Sequence, residues 1–304
     1  MHAWEIDCIV WIQQQGGPAL DRFFEVYTNF GGSYYLYLIP LLLWCVDYRL
    51  GLRVLTVFVA TVFFNTTLKE WLGQPRPFQV DSRVSSEGEL GYGLPSGHAQ
   101  LVVVFWGVIA DWVDRRWFWT LAVVIMLSMG FSRIYLGVHF MSDVLPGWLL
   151  GALTLALFLR FVPDADRLLG GRPPATVAGW ALAAAAFCFL FDLALVRDHN
   201  RLVAGAAGFT AGAGLGAALA LGSLEFSGHG ALWQRALRYV VGMLPTLLLL
   251  GLMSELGAPE GVVGNLVVMA DLAVIGVWLT FAAPWLFERL RLSPTARAGR
   301  GSQP

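Results

Sequence analysis

Nine stretches of this chain, 30–46, 50–68, 99–113, 117–131, 144–162, 176–196, 202–224, 239–253 and 262–287, are long and apolar enough with their flanks to cross a bilayer. In lipid each backbone N–H and C=O must be satisfied within the protein, so runs of this kind become helices. The expected fold is all-α, a polytopic transmembrane helical bundle of about nine spans. Charge agrees: 13% of the residues are Asp, Glu, Lys or Arg, about half the share of an ordinary soluble domain. The net charge of −1 supplies no basic field of the kind nucleic acid attracts, so no nucleic-acid partner is expected.

The breaks between the runs divide the chain. Residues 1–29 read as an interfacial segment, with Trp4, Ile9, Val10, Ile12, Phe23, Phe24 and Tyr27 on either side of Pro18. A first membrane core is expected over 30–162, a polar connector over 163–175, a C-terminal transmembrane extension over 176–290 and a disordered tail over 291–304. Cys8, Cys45 and Cys188 are widely separated and form no Cys-x-x-Cys or Cys/His cluster, so they read as packing residues and no metal site is expected. The glycines of the seventh run, Gly208, Gly212, Gly214 and Gly216, mark a close helix–helix contact. Asp271, near the middle of the ninth run, needs a partner or water; a hydrogen bond inside the bundle and a second polar site are both open.

Lys and Arg counted in alternate loops orient the chain, because cytoplasmic loops carry the excess. Thirteen fall on one side, among them Arg115, Arg116, Arg235 and Arg238, and seven on the other. The C-terminus is therefore expected in the cytoplasm and the N-terminus outside, in an inner or plasma membrane.

Three polar clusters sit at the non-cytoplasmic ends of runs. They are Lys69 with Arg76 and Pro77; Pro95-Ser96-Gly97-His98; and Ser132-Arg133 continuing through His139 to Asp143. Taken singly, each cation reads as an interfacial anchor, each histidine as a packed residue and Pro-Ser-Gly-His as a plain turn into a helix. Anchoring cations, however, should favour the opposite face, and the conjunction has a chemical meaning. Fixed cations, a hydroxyl and amides at a helix start make a pocket for a multiply charged oxyanion, with phosphate the natural guest. Lys69, Arg76 and Arg133 would neutralise charge on the equatorial oxygens during phosphoryl transfer, while Ser96 and the Gly97 amide add neutral donors. His139 and Asp143 stand four apart, so the carboxylate can accept Nδ1–H and leave Nε2 to attack phosphorus. His98 would protonate the leaving oxygen as general acid.

These clusters read Lys69-Glu-Trp-Leu-Gly-Gln-Pro-Arg76-Pro77, Pro95-Ser96-Gly97-His98 and Ser132-Arg133-Ile-Tyr-Leu-Gly-Val-His139-Phe-Met-Ser-Asp143. In this the chain resembles the type 2 phosphatidic acid phosphatase superfamily, which includes the vanadium haloperoxidases, and no signature residue departs from the pattern. The resemblance implies a metal-independent phosphatase with no cofactor. It implies His139 as nucleophile, Asp143 as its orienting acid, His98 as general acid, and Lys69, Arg76, Ser96, Gly97 and Arg133 as phosphate ligands. A lipid substrate is expected, such as phosphatidate, phosphatidylglycerophosphate or undecaprenyl pyrophosphate, because the pocket lies at span ends where a headgroup meets the membrane. Nine spans with an outer N-terminus are also similar to the glucose-6-phosphatase branch, which implies a sugar phosphate instead. A lipid phosphotransferase using the same intermediate and a transporter of a phosphorylated solute are the other readings. Asp164-Ala-Asp166 reads as a solvated loop, His2, His199 and His229 as ordinary packing or interfacial residues, and the sequence leaves oligomeric state open.

Overall fold

A computed structural model describes residues 2–86, 88–169, 171–195 and 201–293. All described secondary structure is helical. In chain order the helices are α1 (Ala3–Gln14), α2 (Pro18–Thr28), α3 (Tyr35–Leu41), α4 (Tyr48–Leu72), α5 (Pro77–Val80), α6 (Gly97–Val113) and α7 (Arg116–Tyr135). They continue with α8 (Met141–Leu169), α9 (Pro174–Leu195), α10 (Arg201–Ser223), α11 (Leu232–Leu256), α12 (Gly261–Val277) and α13 (Ala283–Arg289).

Among the described residues, seven helices are long and apolar enough to span a membrane; two shorter apolar helices, Tyr35–Val46 and Gly97–Val113, fall on the other two expected spans. The lipid-facing surface is legible on α8, where Leu145, Leu149, Leu153, Leu157 and Phe161 recur every four residues and are all exposed. A stripe of that kind is what a helix facing hydrocarbon presents.

The chain divides into two compact units, Met1–Tyr35 with Ala60–Val162, and Leu36–Val59 with Pro163–Pro304. In the first, α6 is buried along most of its length. Ser96 caps it, accepting the Ala99 N–H at 3.5 Å. Asp114 closes it in the left-handed conformation at φ 50°, which Asp adopts more readily than most residues. Helix α8 lies close against α6 because a Cβ on Gly147 would stand 2.7 Å from Ser96 O, and one on Gly151 2.8 Å from Gln100 O. These approaches bring the start of α8 to the start of α6.

In the second unit, α10 and α12 meet backbone to backbone. A Cβ on Gly208 or Gly212 would lie 2.0 or 1.9 Å from the carbonyl oxygens of Met269 and Ala273, while Gly214 faces Ala181 of α9. The close contact expected of these glycines is present. Pro284 lacks the N–H that would bond Thr280 O, and the Tyr48 hydroxyl donates to that oxygen at 2.5 Å. Asp271 is half-buried on α12 and has no hydrogen-bond or ion-pair partner among the described residues.

The expected connector at 163–175 is shorter than the composition implies. Helix α8 continues through Pro163 to Leu169 and α9 begins at Pro174. The polar turn is helical there, with Asp166 paired to Arg53 at 2.6 Å and Asp164 to Arg167 at 3.4 Å. At the C-terminus Leu292 and Ser293 are buried. Residues 294–304 of the expected tail, and His199, lie outside the described residues.

Candidate active site

All eight predicted site residues belong to the first unit. Lys69 closes the last turn of α4, Arg76 precedes α5, Ser96 caps α6, and Gly97 and His98 open it. Arg133 is in the last turn of α7, His139 in the loop that follows, and Asp143 in the first turn of α8. Four helix termini and two loops thus present the three sequence clusters.

The pair His139 and Asp143 is formed. His139 Nδ1 lies 3.3 Å from Asp143 Oδ2, which also accepts the Phe140 N–H at 3.0 Å. Arg76 Nη1 lies 3.2 Å from His139 Nε2. A guanidinium can only donate, so Nε2 carries the lone pair and Nδ1 the proton that goes to Asp143. The ring therefore holds the tautomer that nucleophilic attack through Nε2 requires. Burial, then the charges of Lys69, Arg133 and Arg76, hold His139 well below the ordinary imidazole range.

Arg76 is 2% exposed and all five of its N–H groups are engaged. Nε donates to Gly91 O at 2.9 Å, Nη1 to Val138 O at 3.0 Å and to His139, and Nη2 to Leu90 O and to Glu89 Oε1, both at 3.1 Å. Arg133 approaches the other oxygen of the same carboxylate, Glu89 Oε2, and its Nη1 donates to the Thr28 hydroxyl. Its Nε is buried with no hydrogen-bond partner among the described residues. Two arginines from distant parts of the chain therefore converge on one anion beside His139 Nε2. Lys69 Nζ donates to Tyr92 O at 2.6 Å and Gly93 O at 3.0 Å, which leaves one ammonium N–H for a ligand.

Ser96 is fully buried, and its N–H donates to Asp143 O at 3.0 Å, tying the second cluster to the third. Behind Gly97, a Cβ would stand 3.0 Å from Asn65 Oδ1, and Asn65 Nδ2 donates to Gln100 Oε1 at 2.8 Å. The His98 ring lies against the 31–32 turn, where a Cβ on Gly32 would meet Nε2 at 2.7 Å. Gly137, at φ +66°, makes the turn into His139, and a Cβ there would come within 2.5 Å of Val84 Cγ1.

Three residues that touch this constellation carry no signal in the motifs, Glu89, Thr28 and Asn65, and Glu5 reaches it through Ser142. Charge balance offers the one clue to Glu89. Two buried cations, Arg76 and Arg133, and half-buried Lys69 against a single carboxylate need a further counter-charge, and the loop over 78–94 carries acids.

Residues 50–167 match the family model for the PAP2 superfamily, and residues 204–297 match the model for the PAP2 superfamily phosphatase, transmembrane extension. An undecaprenyl-diphosphatase of Sulfolobus acidocaldarius is 31% identical over 106 residues, which are 34% of this chain and 51% of that protein. Phosphatidylglycerophosphatase B of Bacillus subtilis is 34% identical over 120 residues, 36% of this chain and 57% of that protein. The chain spans about half the length of these curated relatives. Among solved structures, a transmembrane PAP2-type phosphatidylglycerolphosphate phosphatase from Bacillus subtilis has a TM-score of 0.45 at 27% identity, over 55% of this chain and 88% of that one.

Proposed function

Because the chain belongs to the PAP2 superfamily and carries its transmembrane extension, we propose that it is an integral membrane phosphatase hydrolysing a lipid phosphate or diphosphate through a phosphohistidine. The observation that carries this reading is the convergence of Arg76 and Arg133 on one carboxylate, Glu89, beside the unprotonated Nε2 of His139. The protein's own anion marks where a phosphoryl group finds its counter-charges.

In the proposed reaction the substrate's phosphoryl oxygens take over the donors that Glu89 holds, and Lys69, Ser96 and the Gly97 amide complete the cradle. Capture of the Arg76 fork releases Nε2. Its lone pair forms the N–P bond as the bond to the leaving oxygen breaks, and His98 gives that oxygen its proton. Asp143 accepts Nδ1–H and stabilises the positive ring. In the second half His98 takes a proton from water, the water oxygen attacks phosphorus, and the N–P bond breaks to release phosphate. Charge spread over the equatorial oxygens is met throughout by three cations in a poorly solvated site, where such contacts are strongest.

Lipid is the favoured substrate class because the site is built at helix termini, and because the relatives named above are an undecaprenyl-diphosphatase and a phosphatidylglycerophosphatase. We propose that the site faces the non-cytoplasmic side, on the excess of Arg on the opposite loops. Purified protein given phosphatidate, phosphatidylglycerophosphate, undecaprenyl pyrophosphate and glucose 6-phosphate separately should release phosphate from one or more lipids faster than from the sugar. Release from glucose 6-phosphate alone would overturn the lipid assignment, and phosphate appearing only with a hydroxyl acceptor would make the protein a phosphotransferase. His139→Ala should lower turnover by several orders of magnitude; a protein that moves a phosphorylated solute would keep its activity.

A further inference from the structure

Helix α1 lies outside both matched stretches, yet it holds the loop that carries His139 at both of its ends. At the entry, Gln13 Nε2 donates to Tyr135 O and to Ser85 O, each at 2.8 Å, and the Ser85 N–H donates back to Gln13 Oε1 at 3.1 Å. Tyr135 is the last residue of α7. At the exit, Glu5 Oε1 accepts the Ser142 N–H at 2.8 Å, and Oε2 accepts the Ser142 hydroxyl at 3.0 Å. Ser142 immediately precedes Asp143. Between the two ends, Ile6 and Ile9 pack with Ile134, Phe140 and Val144. The His2 ring stacks on Phe140 at 4.3 Å while its Nδ1 lies 2.7 Å from Glu5 Oε2.

An interfacial anchor has no need of these contacts. Glu5 is buried, and burying a carboxylate is costly unless it is well hydrogen-bonded. Its two oxygens meet the hydroxyl and N–H of Ser142 and the ring of His2. The Ser142 amide is one of the unpaired donors at the start of α8, so Glu5 caps that helix from another part of the chain. The same first turn fixes Asp143, whose Oδ2 receives both His139 Nδ1–H and the Phe140 N–H.

We infer that α1 is a positioning element for the His139–Asp143 pair, with Glu5 as its principal residue and Gln13 as its second hold. This rests on the phosphohistidine reading above for the role of the pair, but the hold itself has a test of its own. Glu5 touches no reacting atom; it acts through Ser142 and the first turn of α8.

The test is Glu5→Ala, Glu5→Gln and Gln13→Ala in the full chain, assayed on whichever of the four substrates the wild type turns over fastest, with His139→Ala alongside. Hydrogen–deuterium exchange is followed over residues 136–144. Glu5→Ala should lower kcat about 10- to 100-fold with KM within about twofold, the size expected when a reacting group is displaced by roughly 1 Å. Exchange should rise over 140–144. Glu5→Gln, whose amide oxygen still accepts the Ser142 N–H, should recover part of kcat, and Gln13→Ala should show a smaller loss of the same kind. Wild-type kcat in Glu5→Ala, or a loss that tracks only the folded fraction with exchange raised throughout the first unit, would overturn the inference. Full activity in His139→Ala would instead overturn the phosphohistidine reading, while raised exchange at 140–144 in Glu5→Ala would still report the hold.

Discussion

In the proposed reaction Glu89 and an incoming phosphoryl group ask for the same donors. The carboxylate holds one Nη2–H of Arg76 and bridges to Arg133, and it is partly exposed, so it can leave where the backbone acceptors of Arg76 cannot. Charge-assisted bonds of this type are strong, and substrate must displace them. Glu89→Gln should therefore tighten inhibition by orthovanadate, about tenfold if a little over 1 kcal/mol of competition is removed. An inhibition constant that is unchanged or weaker would show that Glu89 does not compete. A second expectation comes from His139. Held neutral by burial and by Lys69, Arg133 and Arg76, the ring should remain a competent base below its ordinary value near 6.5, so the acidic limb of kcat/KM should fall lower than that. Lys69→Gln removes one of those charges and should move the limb upward; the substrate's own ionisation is common to both enzymes and cancels. A limb that stays fixed or moves down would contradict the assignment. Lys69, Arg76, His98, Arg133, His139 and Asp143 are legible in the sequence as candidates because the proposed phosphoryl transfer admits few other side chains. Glu89 and Glu5 are not, since one acid in a polar loop or an amphipathic helix looks like any other until the fold supplies its partner.

Apolar runs give the helices, and their ends are set by chemistry the runs do not contain. The expected span 50–68 is observed as Tyr48–Leu72 and 117–131 as Arg116–Tyr135, each longer at the end that carries a site cation. Lys69 and Arg133 sit inside helices because the Tyr92 and Gly93 carbonyls meet one and Thr28 and Glu89 meet the other, a compensation that hydropathy does not register. Helix α6 rises about 1.5 Å per residue over 17 residues, short for a hydrocarbon layer of about 30 Å. It is enclosed by protein instead. The contact that matters most at this scale is the seat of α8 on α6. Gly147→Leu would drive a side chain into Ser96 O and Ala99 Cβ, with a cost of about 1–3 kcal/mol or more for overpacking, and would push apart the Ser96 N–H and Asp143 O. Its thermal midpoint in detergent should fall and phosphate release should be lost. Gly179→Leu on α9, where a Cβ has nothing within 4 Å, should leave both near wild type. Similar midpoints for the two variants would show that the α6–α8 seat is not under the constraint inferred for it.

For the whole molecule, the order of apolar runs does not reveal which of them share a core. Residues 36–59 group with the C-terminal half, through contacts such as Trp44 Nε1 donating to Leu279 O at 2.9 Å, across 235 positions of sequence. Pairings at such separations leave no local pattern. Orientation, by contrast, is a sum over loops and survives errors in any one boundary. The site loops at 81–94 and 136–140 lie at one end of their helices, whereas the α6–α7 connection, with Arg115 and Arg116, lies at the far end of α6. If the excess of Arg marks the cytoplasm, the first set faces outward and the second inward. Leu90 is 96% exposed and Arg115 is exposed, so a cysteine at either is reachable from its own side. Cys8 and Cys188, half-buried, are replaced by Ala, and buried Cys45 is kept. In intact spheroplasts a membrane-impermeant maleimide should label Leu90→Cys, and label Arg115→Cys only after lysis. The reverse pattern would put the proposed phosphatase site on the cytoplasmic face, and with it a different pool of phosphorylated substrates.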